Sequence, residues 1–416
     1  MVIIKMVACC VLEMIRCGLL GKPNSGKSTF FSAATGKEVK IADYPFTTIE
    51  PNVGIGYVTL ECVCKEFGVK DSPRNSVCVD GIRYAPIEIW DVAGLVPGAW
   101  QGRGLGNKFL DDLRQADILI HIVDASGRYD ADGKDLGRPG MWDPIKDIRF
   151  LEEEIKRWFW QILKRNWERF ARRIEVERKE LPEALAVMLS GLKIRRHHVE
   201  AALRDTDLDP EKPTSWSDED LLRFAGALRK ASKPIVVVAN KIDIPIAEEN
   251  YERMRKAGID VIPASALAEL ALIRYAEKGI IKYVRGAPDF EILREDTLSP
   301  REKILLEKIR ELMRKWKSTG VQNAINHAVF NIGKMIAVFP VEDENKLTDH
   351  KGNVFPDVFL VPKGTTAKEF ARKIHSELAE TFIYALDVRT KRKLPADYEL
   401  KHRDVIKIFA AARKKI

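Results

Sequence analysis

The chain has 416 residues, 45% of them hydrophobic and 31% charged, which is enough apolar material for two or three domains with sizeable cores. No run reaches the roughly 18 apolar residues of a membrane-spanning helix, so an integral membrane class is excluded. The net charge is +8, and residues 363–416 hold fourteen Lys and Arg against seven Asp and Glu. This asymmetry indicates an acidic partner at the C-terminal end, most plausibly RNA, with an ordinary basic surface as the alternative.

The first predicted element is a short buried strand, Ile15–Leu20, which leads into a phosphate loop and then a helix. The loop follows the pattern G-x-x-x-x-G-K-[ST], whose glycines let backbone N–H groups wrap a phosphate. Lys27 is expected to reach the β- and γ-phosphates, and the Ser28 hydroxyl is expected to bind Mg²⁺. The residues predicted to hold the phosphates are Gly21, Lys22, Pro23, Asn24, Ser25, Gly26, Lys27, Ser28 and Thr29.

A second phosphate motif, D-x-x-G, follows the predicted strand Ile87–Trp90. Asp91 stands at the carboxyl end of that strand, where a carboxylate can hold the Mg²⁺ shell. The Gly94 N–H is predicted to contact the γ-phosphate and to report its loss. The motif by itself also fits a plain turn at a strand end, so its weight comes from its place after the phosphate loop.

The motif N-K-x-D decides which base is read, and it follows the predicted buried strand Pro234–Ala239. The Asp243 carboxylate only accepts hydrogen bonds, and guanine offers N1–H and N2–H₂ donors on one edge, whereas adenine offers no such pair. Asn240 either bonds the O6/N7 side of the base or braces the phosphate loop. The stem of Lys241 is predicted to lie over the base.

A last base-contact loop follows the predicted strand Asp260–Ile262. One of its backbone N–H groups is expected to meet the guanine O6 atom. The residues predicted to form this contact are Ser265, Ala266 and Leu267.

A folded insertion is expected between the core strand Ala116–Asp124 and the next core strand, because about 110 residues separate them and a crossover needs only about a dozen. Residues 128–144 read as loop. Apolar residues then recur at helical spacing over Leu151–Ile174, which predicts one long amphipathic helix. A second helix near Leu185–Leu192 would complete a helical hairpin or coiled coil, and Asp218–Ala231 would return to the sheet.

Three tryptophans of the long predicted helix have two interpretations: Trp158, Trp160 and Trp167. They either pack in the core of the hairpin, which is the favoured interpretation, or form a face for a protein partner.

The sequence predicts helix over residues 291–335. After that segment it predicts short strands and one helix. Val358–Val361 is a predicted strand, and a capping box from Thr366 to Glu369 opens a helix that runs through Leu378. Two further strands are predicted at Phe382–Leu386 and Asp404–Phe409. This order in under 80 residues is typical of a small β-grasp fold.

The chain contains six cysteines, and their spacing is not that of a secreted disulfide framework, which favours reduced thiols in a cytoplasm. They are Cys9, Cys10, Cys17, Cys62, Cys64 and Cys78. The last three could be metal ligands, but no fourth ligand is evident in the sequence and C-x-C is not the usual zinc spacing. Buried or loop thiols are therefore the favoured interpretation.

Segment 41–52, between the first two phosphate motifs, carries the long pattern Tyr-Pro-Phe-Thr-Thr-Ile-Glu-Pro-Asn. With the phosphate loop and the run Asp-Val-Ala-Gly-Leu-Val-Pro-Gly-Ala, it resembles the Obg-like GTPases, and the layout is similar to their YchF branch in its archaeal form. The resemblance implies that Thr48, or else Thr47, is a Mg²⁺ ligand. YchF proteins usually carry Glu at the base-reading position and prefer ATP, whereas this chain keeps Asp243, which supports GTP.

The resemblance leaves the means of hydrolysis open. Many GTPases place Gln after D-x-x-G to orient water, but here Leu95 stands there. In related GTPases an Asn at the position of Asn24 helps hold K⁺ against the phosphates, and a turn-stabilising role is the alternative. Gln101 and Arg103 are further candidates. The residues expected to carry hydrolysis are Lys27, Thr48, Gly94 and Asn24.

The predicted fold class is α/β, a P-loop GTPase with a doubly wound sheet, an inserted helical domain and a C-terminal β-grasp (TGS) domain. The predicted domain bounds are 14–127 with 232–335, 128–231, and 336–416. The predicted function is Mg²⁺-dependent hydrolysis of GTP to GDP by a switch that acts on ribosomes or RNA through the TGS domain and the insertion, with a protein partner on the helical arm also open. The alternatives are a YchF-like ATPase or stress regulator, and a nucleotide-gated binding module with negligible turnover.

Overall fold

The structure is a computed structural model, and it describes residues 14–36, 53–92 and 112–411. Three sheets and their covering helices make up this part of the chain. Across these ranges no helix combines the length and the apolar character needed to cross a bilayer.

The main sheet has seven strands in the order β2-β4-β1-β5-β6-β7, with β3 beside β4. The strands are β1 (Arg16–Leu20), β2 (Val53–Glu61), β3 (Val77–Val79), β4 (Ile82–Asp91), β5 (Ile118–Asp124), β6 (Ile235–Asn240) and β7 (Val261–Pro263). Strands β4, β1, β5, β6 and β7 are parallel, and β2 and β3 run antiparallel to β4. Every residue of β5 is buried, as expected for a parallel sheet covered on both faces.

The carboxyl ends of the parallel strands lie at one edge of this sheet, where α/β proteins place their ligands. Helix α1 (Lys27–Thr35) starts at that edge directly after β1, and its preceding residue, Gly26, has a left-handed backbone. The short helix α2 (Val63–Glu66) follows β2.

The segment between β5 and β6 is helical, as predicted, but it holds five α-helices and not a two-helix hairpin. They are α3 (Pro144–Lys164), α4 (Trp167–Glu177), α5 (Leu181–Met188), α6 (Arg196–Thr206) and α7 (Asp218–Ser232). The single long helix predicted over Leu151–Ile174 is wrong, because the backbone leaves the helical region at Asn166. Asn has a low helix propensity, and Asn166 precedes α4 without a side-chain capping hydrogen bond.

The insertion packs its apolar side chains against one face of the main sheet. Leu151 and Ile155 of α3 share a core with Leu20 and Leu119 of the sheet. Trp158 and Trp167 are 3% and 7% exposed, so they occupy the core position that the sequence analysis favoured. The Trp167 ring stacks on Trp216 with 5.1 Å between ring centroids, which joins α4 to the segment returning to the sheet.

Between β6 and the C-terminal sheet the chain adds further helices and a two-stranded sheet. They are α8 (Pro245–Lys256), α9 (Ala266–Glu277), β8 (Ile281–Lys282), β9 (Glu291–Ile292), α10 (Pro300–Trp316), α11 (Val321–Asn326) and a π-helix (His327–Ile332). The prediction of helix from residue 291 is wrong at its start. Helix α10 begins only at Pro300, where Ser299 and Glu302 form a capping box.

The C-terminal sheet has five strands in the order β11-β10-β14-β12-β13. Its elements are β10 (Met335–Pro340), β11 (Phe359–Pro362), α12 (Ala367–Ile374), α13 (Ser376–Glu380), β12 (Phe382–Asp387), β13 (Lys393–Leu394) and β14 (Asp404–Ala410). The capping box of Thr366 and Glu369 is present. The helix predicted to run through Leu378 is interrupted at His375, whose extended backbone separates α12 from α13.

Candidate nucleotide-binding site

The phosphate loop lies between β1 and α1 and depends on two left-handed residues. Gly26 has φ +89°, and a Cβ built there would lie 2.3 Å from Nδ2 of Asn240. Asn24 has φ +62°, a conformation that Asn tolerates better than most residues. The close approach of Asn240 therefore requires glycine at position 26.

Asn240 holds the loop from the other side of the site. Its Nδ2 donates to the carbonyl of Ser25 at 2.9 Å, and its Oδ1 accepts from the N–H of Ala266 at 3.0 Å. Both ends of the buried amide are thus occupied by backbone. Of the two roles predicted for Asn240, these contacts are those of the brace.

Lys241 ties the base-reading motif to the phosphate loop and to β5. Its Nζ donates to the carbonyl of Asn24 at 2.6 Å and lies 3.3 Å from Oδ1 of the fully buried Asp124. The same ammonium lies 4.6 Å from the centroid of the Tyr129 ring. Asp124 and Tyr129 were not predicted, although the position of Asp124 at the carboxyl end of β5 is a usable signal.

Asp243 is exposed, and within the described ranges no hydrogen bond or ion pair involves its carboxylate. The loop beside it is rigidly anchored. The N–H of Ser265 donates to the carbonyl of Thr319 at 2.8 Å, and Oγ of Ser265 caps α9 by accepting from Ala268 at 3.2 Å. Ala266 is buried and Leu267 is 66% exposed, so this loop presents an open surface next to Asp243.

Lys27 and Asp91 meet at the phosphate edge. Nζ of Lys27 forms an ion pair with Oδ1 of Asp91 and donates to the carbonyl of Val92 at 2.7 Å. The Ser28 side chain is exposed on the same turn. A hydroxyl and a carboxylate oxygen are the ligand types that Mg²⁺ prefers, so Ser28 and Asp91 fit that ion.

Lys22 connects the phosphate loop to the helical insertion. Its Nζ lies 2.7 Å from Oδ2 of Asp147, in the first turn of α3, and donates to the carbonyl of Tyr129 at 2.7 Å. Both side chains of this pair are 7% exposed. Burial raises the pKa of Asp147, which the Lys22 ammonium opposes. Burial, assisted by Lys22, lowers the pKa of the neighbouring His121 to about 3, so its imidazole is neutral.

The loop after β5 closes over the phosphate loop. Nδ2 of Asn24 donates to the carbonyl of Gly133 at 2.9 Å, and a Cβ built at Gly133 would lie 2.6 Å from Cβ of Pro23. This contact of Asn24 with the loop after β5 was not predicted, and its two predicted roles, in holding K⁺ and in stabilising its own turn, stay predictions. No sequence motif marks this contact or the Lys22–Asp147 pair, because their partners are more than 100 residues apart.

The structure brings together the phosphate loop, Asp91, Asn240, Lys241, Asp243 and Ser265–Leu267. Several predicted residues lie outside the described residues, as do residues 1–13. They are Thr47, Thr48, Gly94, Leu95, Gln101 and Arg103.

Family comparisons agree with this geometry. Residues 16–141 match a family model described as a 50S ribosome-binding GTPase. Residues 238–343 match the G4 motif-containing domain of the YGR210-like Obg-like GTPases, and residues 347–410 match the TGS domain. The fold and site define a P-loop GTPase.

Relatives extend the match over nearly the whole chain. The uncharacterized GTP-binding protein MJ1332 of Methanocaldococcus jannaschii is 52% identical over 96% of this chain and 100% of its own length. GTP-binding protein C428.15 of Schizosaccharomyces pombe is 37% identical, covering 86% and 89%. The chain belongs to the Obg-like GTP-binding proteins related to YchF.

Two further comparisons bear on structure and function. A crystal structure of a GTP-binding protein from Pyrococcus horikoshii OT3 is similar with a TM-score of 0.77 and 38% identity, covering 95% of this chain and 100% of that one. The protein named ribosome-binding ATPase YchF of Mycoplasma genitalium is 31% identical over 58% of this chain and 60% of its own length.

Proposed function

We propose that this protein binds GTP with Mg²⁺, hydrolyses it to GDP, and acts as a nucleotide-dependent switch on the ribosome or its RNA. The main support for the proposal is the way in which the three polar side chains of the N-K-x-D motif are engaged. Asn240 and Lys241 are both committed to the phosphate loop, whereas the Asp243 carboxylate is exposed beside an anchored loop and is free for a base.

The chemistry of Asp243 selects guanine. An ionised carboxylate accepts two hydrogen bonds and donates none, which matches the adjacent N1–H and N2–H₂ groups of guanine. Adenine presents an unprotonated N1 at the corresponding edge, so the carboxylate would face a lone pair. Hydrogen bonds to a charged group contribute about 1.5–3 kcal/mol each, enough to separate the two bases by orders of magnitude.

The phosphate end of the site supplies the means of hydrolysis. Lys27, at the N-terminus of α1, is placed to neutralise charge on the β- and γ-phosphates once it leaves Asp91. Ser28 and Asp91, with Thr48, would hold Mg²⁺, which supplies charge neutralisation on the transferred phosphoryl group. Asn24 with K⁺ stays the candidate for extra positive charge at the phosphates. Since Leu95 cannot orient water, slow intrinsic turnover is expected.

The Lys22–Asp147 pair is the proposed route from nucleotide to insertion. Lys22 belongs to the phosphate loop and Asp147 to the first turn of α3. If the loop shifts when the γ-phosphate leaves, this ion pair would transmit the shift to the helix. Such a coupled element is what a switch requires in order to report the nucleotide state to a partner.

Support for a ribosomal partner comes from three sources. Residues 16–141 match a family model described as a ribosome-binding GTPase, and a YchF relative is named ribosome-binding. Residues 363–416, most of which belong to the TGS domain, hold fourteen Lys and Arg against seven Asp and Glu. Within that domain Arg389 is committed to Glu66, whose carboxylate accepts its Nη2–H at 2.9 Å. Arg392 lies on the turn before β13, and Lys393 lies at the start of that strand. Both side chains are exposed and are available to phosphates.

An ATPase activity is the second candidate, because the name of the YchF relative specifies ATP. It requires that adenine be accepted despite Asp243. A nucleotide-gated binding module with negligible turnover is the third, and Leu95 is the residue that motivates it.

Substitution of Asp243 tests the base assignment. In Asp243→Asn the amide N–H₂ would face the N2–H₂ of guanine, so GTP and GDP affinity should fall by about 100-fold or more. The same amide can donate to the O2 atom of xanthine, so xanthine nucleotides should bind better than they bind the wild type. Titration with fluorescent GTP, GDP, XTP and ATP analogues in Mg²⁺ measures both changes.

Glu249→Gln is the matched control, because it removes an exposed carboxylate on neighbouring α8 and should leave all affinities unchanged. If wild type binds ATP as tightly as GTP, or Asp243→Asn keeps its guanine preference, the base assignment is wrong.

A further inference from the structure

Four potential metal ligands converge beyond the edge of the main sheet, away from the nucleotide site. Cys62 and Cys64 lie at the start of α2, Asp71 lies in the loop that follows, and Cys78 lies in β3. Their three sulfur atoms and one carboxylate oxygen all lie within 4.8 Å of one another. No fourth ligand for the three cysteines is evident in the sequence, and in the structure Asp71 supplies one.

The distance between two of the sulfur atoms suits a tetrahedral ion, and the other ligand atoms lie within 4.8 Å of them. Sγ of Cys64 and Sγ of Cys78 are 3.8 Å apart. For a zinc–sulfur bond of about 2.3 Å, the edge of a tetrahedron is about 3.8 Å. Sγ of Cys62 donates to Oδ2 of Asp71 at 3.1 Å, a hydrogen bond that the ion would replace.

The surroundings of the cluster suit a site that carries excess negative charge. Three thiolates and one carboxylate around a divalent ion leave a net charge of −2. Arg83 is fully buried on β4, with Nε donating to Sγ of Cys62 at 3.4 Å and Nη2 lying 2.9 Å from Oδ2 of Asp71. A buried guanidinium needs such a counter-charge, and its N–H groups orient the ligands.

We propose that Cys62, Cys64, Asp71 and Cys78 bind one zinc-type divalent ion as a structural site. Four protein ligands would fill the coordination sphere, which is the arrangement of structural zinc and leaves no position for a substrate. Binding releases the thiol protons to solvent, so occupancy rises with pH.

The position of the site gives it a defined role. Arg83, held by two of the ligands, donates through Nη2 to the carbonyl of Phe355 at 2.9 Å. Ser72, next to Asp71, donates from its N–H to the carbonyl of Val354 at 2.9 Å. The ion would therefore fix the loop on which residues 354–355 of the TGS domain rest, and so the orientation of that domain.

A disulfide between Cys64 and Cys78 is the competing use of these thiols. It would use two of the four ligands and would not account for the approach of Cys62 and Asp71 to the same point. Convergence of all four groups together favours the ion.

Metal analysis of the purified full-length protein tests the proposal. After expression with zinc and dialysis, we expect about one zinc per chain. Replacement by Co²⁺ should give the d–d and thiolate charge-transfer bands of tetrahedral thiolate coordination. Cys78→Ser and Asp71→Ala should each weaken Co²⁺ binding at least 10-fold, since even residues that only orient ligands contribute 10–100-fold.

Cys17→Ala is the matched control, because it also removes a buried thiol, on β1, but not one of the cluster. It should keep the metal and its spectrum. Guanine-nucleotide binding by each variant shows that the chain remains folded. Absence of zinc together with absence of Co²⁺ bands, a Cys64–Cys78 disulfide in the purified protein, or full metal retention by Cys78→Ser would each overturn the proposal.

Discussion

Most polar side chains of the site form hydrogen bonds or ion pairs with other parts of the site. The amide of Asn240 joins two loops, the ammonium of Lys241 ties the phosphate loop to Asp124 at the end of β5, and Lys22 reaches into the insertion. This leaves Asp243 and the exposed hydroxyl of Ser28 as groups that face outward. A preorganised loop loses less entropy when a phosphate binds, which raises affinity without any further interaction.

Breaking the Lys22–Asp147 pair is predicted to cost stability and nucleotide affinity together. Because both side chains are buried, Lys22→Met or Asp147→Asn alone leaves an uncompensated charge and should lower the free energy of unfolding by about 3 kcal/mol. The double variant should be destabilised clearly less than the sum of the two single variants. Urea denaturation, with and without GDP, measures these effects.

Asp218→Asn provides the comparison, because its ion pair with Lys164 is exposed on the insertion. It should change stability little. Additive destabilisation in the double variant would show that Lys22 and Asp147 are not coupled.

At the residue scale, the contiguous motifs predicted most of the site. In the phosphate loop, the D-x-x-G motif and the N-K-x-D motif, the functional side chains lie within a few adjacent positions of the sequence. Asp147, Asp124 and Asp71 were missed because each acquires its role from a partner distant in sequence or from a loop path that periodicity does not encode. Asn240 was left between two roles because only the folded geometry shows that both ends of its amide are occupied.

Among the elements, the loop that carries Ser265 depends on the N-terminus of α11. Gly320 precedes that helix with φ +88°, and a Cβ built there would lie 1.9 Å from the carbonyl oxygen of Pro263. The N–H of Ser265 meanwhile donates to Thr319. Two elements far apart in sequence thus position the predicted O6 contact.

Gly320→Ala is predicted to destabilise the protein by more than the roughly 1–3 kcal/mol of backbone strain alone, since the new methyl also collides with Pro263. Guanine affinity should fall with it because the base loop must move. Thermal unfolding and nucleotide titration measure the two effects.

Gly258→Ala is the control, because Gly258 has φ +77° but nothing lies within 4 Å of a built Cβ. It should show the strain while keeping guanine affinity unchanged. Equal effects in both variants would contradict the role of the close approach to Pro263.

Helices were predicted correctly where hydrophobic spacing and a capping signal occurred together. They were predicted incorrectly where the spacing had no such signal beside it. The capping box at Thr366 predicted the start of α12, and the gap after Asp124 predicted a folded insertion. The break at Asn166 was missed because apolar residues keep their helical spacing on both sides of it. Strand β10 was missed because its run Met335–Pro340 adjoins a helical stretch and reads as its continuation.

Over the whole molecule, charged side chains join the nucleotide-binding half to the TGS domain. Arg389 and Arg403 face Glu66, and Arg74 pairs with Asp357. Part of the basic excess seen in the sequence is therefore neutralised inside the molecule. The exposed remainder, including Arg392 and Lys393, is the part that the proposed RNA partner would contact.

Replacing Arg392 and Lys393 together by alanine is predicted to weaken ribosome association and to reduce its dependence on salt. For each phosphate that is no longer neutralised, the slope of log affinity against log salt should become shallower by about 0.7–0.9. Sedimentation with ribosomes over a range of KCl concentrations measures this slope.

The double variant Arg255→Ala/Lys256→Ala removes the same two charges from exposed positions on α8 and should change nothing. An equal weakening in both double variants would assign the effect to net charge and not to the TGS surface.

Side-by-side hydrolysis of GTP and ATP by the full-length chain decides whether this protein is a guanine-nucleotide switch. Phosphate release should be measured in Mg²⁺, with K⁺ and with Na⁺, under the same conditions for both nucleotides. We expect slow turnover with kcat/KM for GTP at least about 100-fold above that for ATP, the difference that the two hydrogen bonds of Asp243 supply. A kcat/KM for ATP equal to or above that for GTP would contradict this expectation and would make this chain an ATPase.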